Sequence, residues 1–291
     1  LWNALRLVKM WEGRISNSVD SNSNQFAIQW FEERLAQVNN ELETLYKDFR
    51  LSEALKTIYS LIWDDFCSWY LEWVKPGFEQ AIDPKTYNKT VSFFEELIQL
   101  LHPFMPFITE EIYHSLKERN AGDDLTIRQQ SSLKSNDNTI LLQGQLLKDV
   151  ITGIRDTRNK QQIKPKEQIE LSVLTLNPEV YEPINSILSK QVNASAINFV
   201  KETVAGSISA VIGKDKFYLV AEQPIDKGSQ REELLKELHY QQGFLQSVDK
   251  KLSNERFVSN AKAEVVDLEK RKKADAEAKI LAIKESLAGL G

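Results

Sequence analysis

Cysteine is almost missing from this chain of 291 residues: Cys67 is the only one. A single thiol can build neither a disulfide framework nor a cysteine-based zinc site, and such sparing use suits a reducing compartment. Cys67 lies among Phe66, Trp69 and Tyr70 and reads as core. Long hydrophobic runs are also lacking. None approaches the roughly 20 apolar residues that a helix needs to cross a bilayer, so no membrane-spanning role is read. Glycine is scarce, with 11 residues scattered along the chain, and none opens a helix as a phosphate-cradling loop would. Only three histidines occur, His102, His114 and His239, far apart in sequence, and no metal site is read from them. His102 precedes a proline at a helix break, where a structural hydrogen bond is the expectation. Asp64-Asp65 and Glu110-Glu111 are sequence neighbours. On a helix such neighbours point to different sides, so neither pair makes an acid and base. No catalytic constellation emerges.

What is present is an ordinary soluble balance, 42% hydrophobic and 27% charged, with a net charge of -5. An acidic sum argues against wrapping a polyanion over the whole surface but leaves room for a local basic stripe, because binding follows charge distribution. The distribution is uneven. Residues 227–291 hold thirteen Lys/Arg against eleven Asp/Glu, which leaves 1–226 at -7. The first residue is Leu1, inside an apolar-periodic stretch without signal-peptide flanks, so the chain reads as a piece of something longer.

The expected fold is mainly α: an antiparallel helix bundle (1–120), a linker with a small α+β domain (121–227), and a long antiparallel coiled-coil hairpin (228–291). In the bundle, LWNALRLVKMW opens a helix, the polar SNSVDSNSN (16–24) is a loop, and Gln25 to Lys47 is helical again. Leu51, Leu55, Ile58, Ile62, Phe66, Trp69 and Trp73 follow one another at spacings of four and three, the stripe of a buried helix. Asp83-Pro84 is a cap followed by a first-turn proline, and HPFMPF interrupts the helix that follows. Between about 119 and 138 polar residues and glycine dominate, a linker or an exposed crossing by composition. Then come a helix at about 143–162, a strand at IELSVLT (169–175), a helix over Pro183–Val192 and a strand near Ile197–Val200. SISAVI and KFYLVA follow, with a hairpin signal at Gly213-Lys214-Asp215. Beyond Gly228 strand signals stop. Leu234, Leu238, Leu245, Val248 and Leu252 form one seam, and Val265, Leu268, Ala276, Ile280, Ile283 and Leu287 a second, with SNERFVSN (253–260) between them.

LLHPFMPFITEEIYHSL (100–116) and WDDFCSWYLEWVKP (63–76) resemble the anticodon-binding helix bundle of class I aminoacyl-tRNA synthetases for valine, isoleucine, leucine and methionine. LWNALRLV and FAIQWFEERL (26–35) resemble its first two helices. KKLSNERFVSNAKAEVVDLEKRK (250–272) resembles the tip and second arm of the coiled coil that ends the valyl members of that family. Isoleucyl enzymes typically end in a cysteine-rich zinc module, which one cysteine cannot build. The family's two ATP signatures and its editing domain have no counterpart in this stretch. The resemblance therefore implies a non-catalytic piece of a ligase that needs no cofactor of its own, ATP and Mg serving the remainder. It implies valine tRNA as partner, no DNA, a monomer and a cytoplasmic setting. Two alternatives stand beside it: a helical adaptor whose coiled coil pairs with another protein, and the corresponding region of a leucyl or isoleucyl enzyme.

The site expectations follow from how RNA loops are read, with aromatic faces and edge contacts for bases and cations for phosphates. Arg6 and Lys9, three apart on one helix face, are expected at the anticodon. The resemblance adds Trp30, Arg34 one turn later, and Phe93. Core packing is the competing reading for Trp30 and the preferred one for Phe93. Arg155, Arg158 and Lys164, with Lys160, suit a phosphate track, or simply a solvated face. Arg256 at the hairpin turn and the run Lys270, Arg271, Lys272 and Lys273 are expected against the tRNA backbone and elbow, where charge kept merely for solubility is the alternative.

Overall fold

A computed structural model describes residues 1–20, 22–129, 137–161, 163–220, 227–254, 257 and 263–288. It divides into two compact units, Leu1–Gln145 and Leu146–Gly291. The expected boundaries near 120 and 228 thus each fall inside a unit, and the observed division falls inside a helix.

Unit 1 is helical. It contains α1 (Trp2–Glu12), α2 (Gln25–Lys47), a continuous run of α3 (Leu51–Ser60), a π-helical stretch (Leu61–Tyr70) and α4 (Leu71–Val74), then α5 (Pro84–Leu101) and α6 (Pro106–Leu116). The Asp83-Pro84 expectation is met: the Asp83 carboxylate accepts from the Thr86 backbone N–H at 2.8 Å, and Pro84 opens α5. Aromatic rings fill the centre. Phe31 lies 5.3 Å from Phe66, 5.0 Å from Tyr70 and 4.9 Å from Phe93, all buried.

The stripe expected on the third helical run is met in part. Leu51 and Leu55 are exposed and Trp69 is half-buried, whereas Ile58, Ile62, Phe66 and Trp73 are buried as expected, joined by Ala54, Leu61, Asp65, Tyr70, Leu71 and Val74. The two exposed leucines lie in α3, before the π-helical stretch, so the misfit is confined to the start of the run. Nor is 117–128 a free linker. Arg119 reaches back to Glu95 at 2.5 Å and lies over the Tyr113 ring, 3.5 Å from its centroid. Arg128 pairs with Glu96 at 2.7 Å. These contacts fasten the segment to α5 and α6, and residues 125–127 form a short 3-10 turn.

The division between the units falls within α7 (Asn138–Lys160). Unit 2 adds β1 (Ile169–Leu174), α8 (Asn185–Val192), β2 (Ala194–Val200), β3 (Ile208–Ile212) and β4 (Asp215–Val220), then α9 (Lys227–Leu252) and α10 (Ala263–Ala288). The sheet order is β2-β1-β4-β3, with β1 and β2 parallel and the other pairs antiparallel. Gly213 takes φ 61 in the two-residue turn between β3 and β4, a conformation open to glycine at little cost. Helices α9 and α10 pack antiparallel: Asp249 pairs with Lys273 at 2.7 Å and Lys251 with Glu269 at 3.6 Å.

The seam of α10 needs a correction. Val265 and Leu268 are exposed, whereas Val266, Glu269, Ala276, Ile280 and Ile283 are buried. Extending the alternation of three and four backward from Ile283, Ile280 and Ala276 reaches Lys273, Glu269 and Val266. Two seam positions are therefore charged, which hides the register from a search for apolar residues. Among the described residues no helix is long and apolar enough to cross a membrane.

Candidate nucleic-acid interface

The bundle residues expected at RNA separate into two groups. Arg6 and Lys9 are exposed on α1, where they line an open groove of about 800 Å³ with Trp2, Met10, His114 and Ser115. Lys9 Nζ donates to the Ser115 carbonyl at 2.8 Å, close to the last turn of α6, where a cation also meets the negative end of the helix dipole. Arg6 has no ion pair among the described residues. Its guanidinium can therefore take a phosphate or a base edge without first giving up a partner. Trp2, 43% exposed, supplies an aromatic face beside it.

The other three are structural. Trp30 is 1% exposed, with its ring centroid 4.6 Å from that of Trp73. It also lies against Gly144, where a Cβ would come within 2.1 Å of the indole. An indole enclosed in this way has no face left for a base, and Trp30 is withdrawn from the candidate surface. Phe93 is buried between Phe31 and Tyr70, as its preferred reading had it. Arg34 is spent on the bundle: Nε donates to Asp65 at 2.7 Å and Nη1 to Gln37 at 2.7 Å.

In unit 2 the expected phosphate track also breaks up. Arg158 is 4% exposed; it donates to the carbonyls of Val192 at 2.7 Å, Lys164 at 2.6 Å and Glu167 at 2.5 Å. Burial lowers the pKa of its guanidinium, with Glu167 opposing that shift. Arg158 is therefore a clamp between the end of α8 and the loop before β1, and it leaves the candidate surface. Arg155, though exposed, donates to Gln191 Oε1 at 2.8 Å. Lys160 and Lys164 are exposed. Arg158→Ala should destabilise unit 2 by about 1–3 kcal/mol for each carbonyl left without a donor. Lysine should not rescue it, since one ammonium cannot reproduce the fork. Thermal melting followed by the sheet's circular dichroism checks this, and a melting point within a degree of wild type would reject the clamp.

The run at 270–273 is similarly divided. Lys273 sits on the seam and pairs with Asp249, and Lys272 pairs with Glu269 at 2.7 Å. Lys270 and Arg271 project outward, Lys270 with a solvated Asp267 partner at 3.5 Å. Arg256 lies outside the described residues.

The sequence reading weighs Glu110 only beside Glu111 and misses that it stands one turn before His114. His114 Nε2 lies 3.3 Å from Glu110 and 3.1 Å from Asp124. The Glu110 carboxylate accepts from the backbone N–H groups of Leu125 and Thr126, at 2.8 and 3.1 Å, and from the Thr126 hydroxyl at 3.0 Å. Those bonds hold its pKa down against desolvation. With its oxygens engaged in this way, the cluster's visible work is to pin the 3-10 turn. His102 makes its expected structural bond, to the Thr109 hydroxyl at 2.8 Å. Burial pushes the Cys67 thiol up, away from reactivity.

Two family models match the chain: the anticodon-binding domain of tRNA ligase over residues 29–174, and the valyl tRNA synthetase tRNA binding arm over residues 226–291. The valine--tRNA ligase of Phocaeicola vulgatus is 43% identical over 290 residues, which is all of this chain and 33% of that protein. That of Christiangramia forsetii is 42% identical over 291 residues, with the same coverage. That of Enterococcus faecalis is 32% identical over 302 residues and is matched over 34% of its length. The chain thus spans about a third of the length of these relatives. With the anticodon-binding domain of tRNA ligase matched over half of its length, the chain belongs to that family, and a match to the valyl tRNA synthetase tRNA binding arm follows in the same polypeptide.

Proposed function

We propose that this chain is the tRNA-binding C-terminal region of a valine--tRNA ligase and holds valine tRNA without carrying the aminoacylation centre itself. The observation that carries the reading is the pair of family matches, one for the anticodon and one for a tRNA-binding arm, in that order along one chain. The geometry supports a division of labour. The groove of Arg6, Lys9 and Trp2 offers charge and an aromatic face to the anticodon, and Lys270 and Arg271 offer phosphate contacts on α10. Valine codons share their first two bases, so valine tRNAs share a central A and a final C, and a common pocket reads those two and ignores the wobble base. In this reading the region acts as a monomer in the cytoplasm, and cofactors serve the rest of the enzyme.

Passing bulk tRNA over the immobilised chain tests this. Valine isoacceptors should be retained, and changing the central A or the final C should weaken binding by about 1–3 kcal/mol each. Arg6→Ala should lose the same discrimination with its melting point unchanged, as expected for a surface arginine. Retention of an unsorted mixture, or equal sensitivity at all three anticodon positions, would reject the pocket.

A further inference from the structure

Glu110, His114 and Asp124 each bring one ligand-type atom within 4.8 Å of the other two. Glu110 and His114 stand one turn apart on α6, hence on one face. Asp124 arrives from the segment that Arg119 and Arg128 fasten to α5, so the cluster exists only in the folded chain. His114 Nε2 lies 3.1 Å from Asp124 Oδ1 and 3.3 Å from Glu110 Oε1. In either protonation state that nitrogen carries at most one hydrogen, so it can serve only one of the two carboxylates well. Among the described residues the Asp124 carboxylate has no other donor, and neither carboxylate pairs with a lysine or arginine. Cations are close at hand, yet Lys117, Arg119 and Arg128 are committed to Glu95, Glu96 and Asp123.

A metal ion would satisfy all three groups at once. Zinc binds imidazole nitrogen and carboxylate oxygen at about 2.0–2.2 Å, so neighbouring ligands in a tetrahedral site lie about 3.3 Å apart. The two edges at His114, 3.1 and 3.3 Å, have that length already. A carboxylate oxygen has two lone pairs. Glu110 can therefore take an ion while keeping its bonds from the Leu125 and Thr126 N–H groups and the Thr126 hydroxyl. Such outer bonds are what hold a carboxylate ligand in position for a metal. The His114 ring is set edge-on to Tyr113, with centroids 5.8 Å apart. All three side chains are partly exposed, so an ion can enter from solvent and keep water in its fourth position.

We propose that Glu110, His114 and Asp124 form a binding site for a divalent ion of the zinc class. One imidazole with two carboxylates suits zinc better than calcium or magnesium, which take oxygen shells of about six or more ligands. Binding releases any proton on His114 Nε2 to solvent and ties α6 to the 3-10 turn at 125–127. His114 also lines the groove of Arg6 and Lys9, so the ion stands at one wall of that groove. The site is independent of the tRNA-binding reading and stands or falls without it.

The test strips the full 291-residue chain with a chelator and titrates it with Zn²⁺, and with Co²⁺ as a coloured stand-in. The wild-type chain should bind a single ion saturably and melt at a higher temperature with Zn²⁺ than without it. Bound Co²⁺ should show the visible absorption of a four- or five-coordinate site with nitrogen and oxygen ligands. His114→Ala and Asp124→Asn should each lose more than about a hundred-fold in Zn²⁺ affinity, since removing even an outer partner costs about ten-fold. Both lie at the surface, so their metal-free melting should stay close to wild type. Thr126→Val removes the hydroxyl that orients Glu110 and should weaken Zn²⁺ about ten-fold. His239→Ala and Cys67→Ser should bind as wild type does. No saturable Zn²⁺ binding overturns the site. So does binding that survives His114→Ala, or that is lost with His239→Ala or Cys67→Ser, because the ion then sits elsewhere. A melting loss in Asp124→Asn that is equal with and without Zn²⁺ makes the cluster a hydrogen-bonded one only, and overturns the site too.

Discussion

Trp30→Ala should cost about 3–5 kcal/mol of stability in unit 1, the usual penalty for emptying a large aromatic site in a core. It should weaken tRNA binding only through unfolding, with no dependence on the anticodon loop. The indole is enclosed by Trp73 and by the bare backbone at Gly144, so no solvent-facing surface is lost when it goes. The close approach adds an internal control. Gly144→Ala places a methyl group against the indole and should cost about 1–3 kcal/mol through overpacking. In a Trp30→Ala background the same methyl group enters vacated space, and its cost should nearly vanish, a coupling that a double-mutant cycle reads directly. All six tryptophans lie within residues 2–73, so indole fluorescence in urea reports on unit 1 alone. A stable Trp30→Ala that fails only on tRNA with an intact anticodon loop would return Trp30 to the RNA surface.

These outcomes mark where the sequence could be read and where it could not. Capping and turn chemistry are local, so Asp83-Pro84 and Gly213-Lys214 were legible without tertiary information. So was the order of helices and strands, since periodicity needs only neighbours. Trp30 was not, because an aromatic on an amphipathic helix looks the same whether its face meets a core or a ligand. Arg158 shows the same limit for charge. A guanidinium aimed at three carbonyls is indistinguishable in sequence from one aimed at a phosphate. The α10 register was missed for a different reason: Glu269 and Lys273 occupy seam positions and find their partners across on α9. Arg6 keeps its place in the candidate groove because its surroundings leave it open.

The ion-pair network around Glu95 was invisible for the same reason as Arg158, and it carries the second large prediction. Glu95 is 8% exposed at its side chain and receives Arg119 at 2.5 Å, Lys117 at 2.8 Å and Arg128 at 3.4 Å. The three cations differ in what they lose when the carboxylate goes. Lys117 is half exposed and Arg128 a quarter exposed, so water can take over much of their solvation. Arg119, at 5% exposure, cannot be rehydrated where it lies. It keeps weaker support from the Tyr113 carbonyl at 3.2 Å and from Asp123 at 3.7 Å. Breaking a buried pair from one side typically costs about 3–5 kcal/mol, and that residual support puts Glu95→Ala toward the lower end. Glu95→Gln keeps an acceptor but turns an amide N–H₂ toward one of the cations, so it should recover only part of the loss. Lys117→Ala removes a solvated partner and should cost less than about 1 kcal/mol. Because Arg119 and Arg128 fasten 117–128 to α5, Glu95→Ala should also speed amide exchange in that segment before the helices open. Urea unfolding followed by indole fluorescence gives the first quantity, and hydrogen exchange gives the second. A Glu95→Ala protein as stable as Lys117→Ala would mean that Arg119 finds a replacement partner, and the network would then not be what holds the segment down.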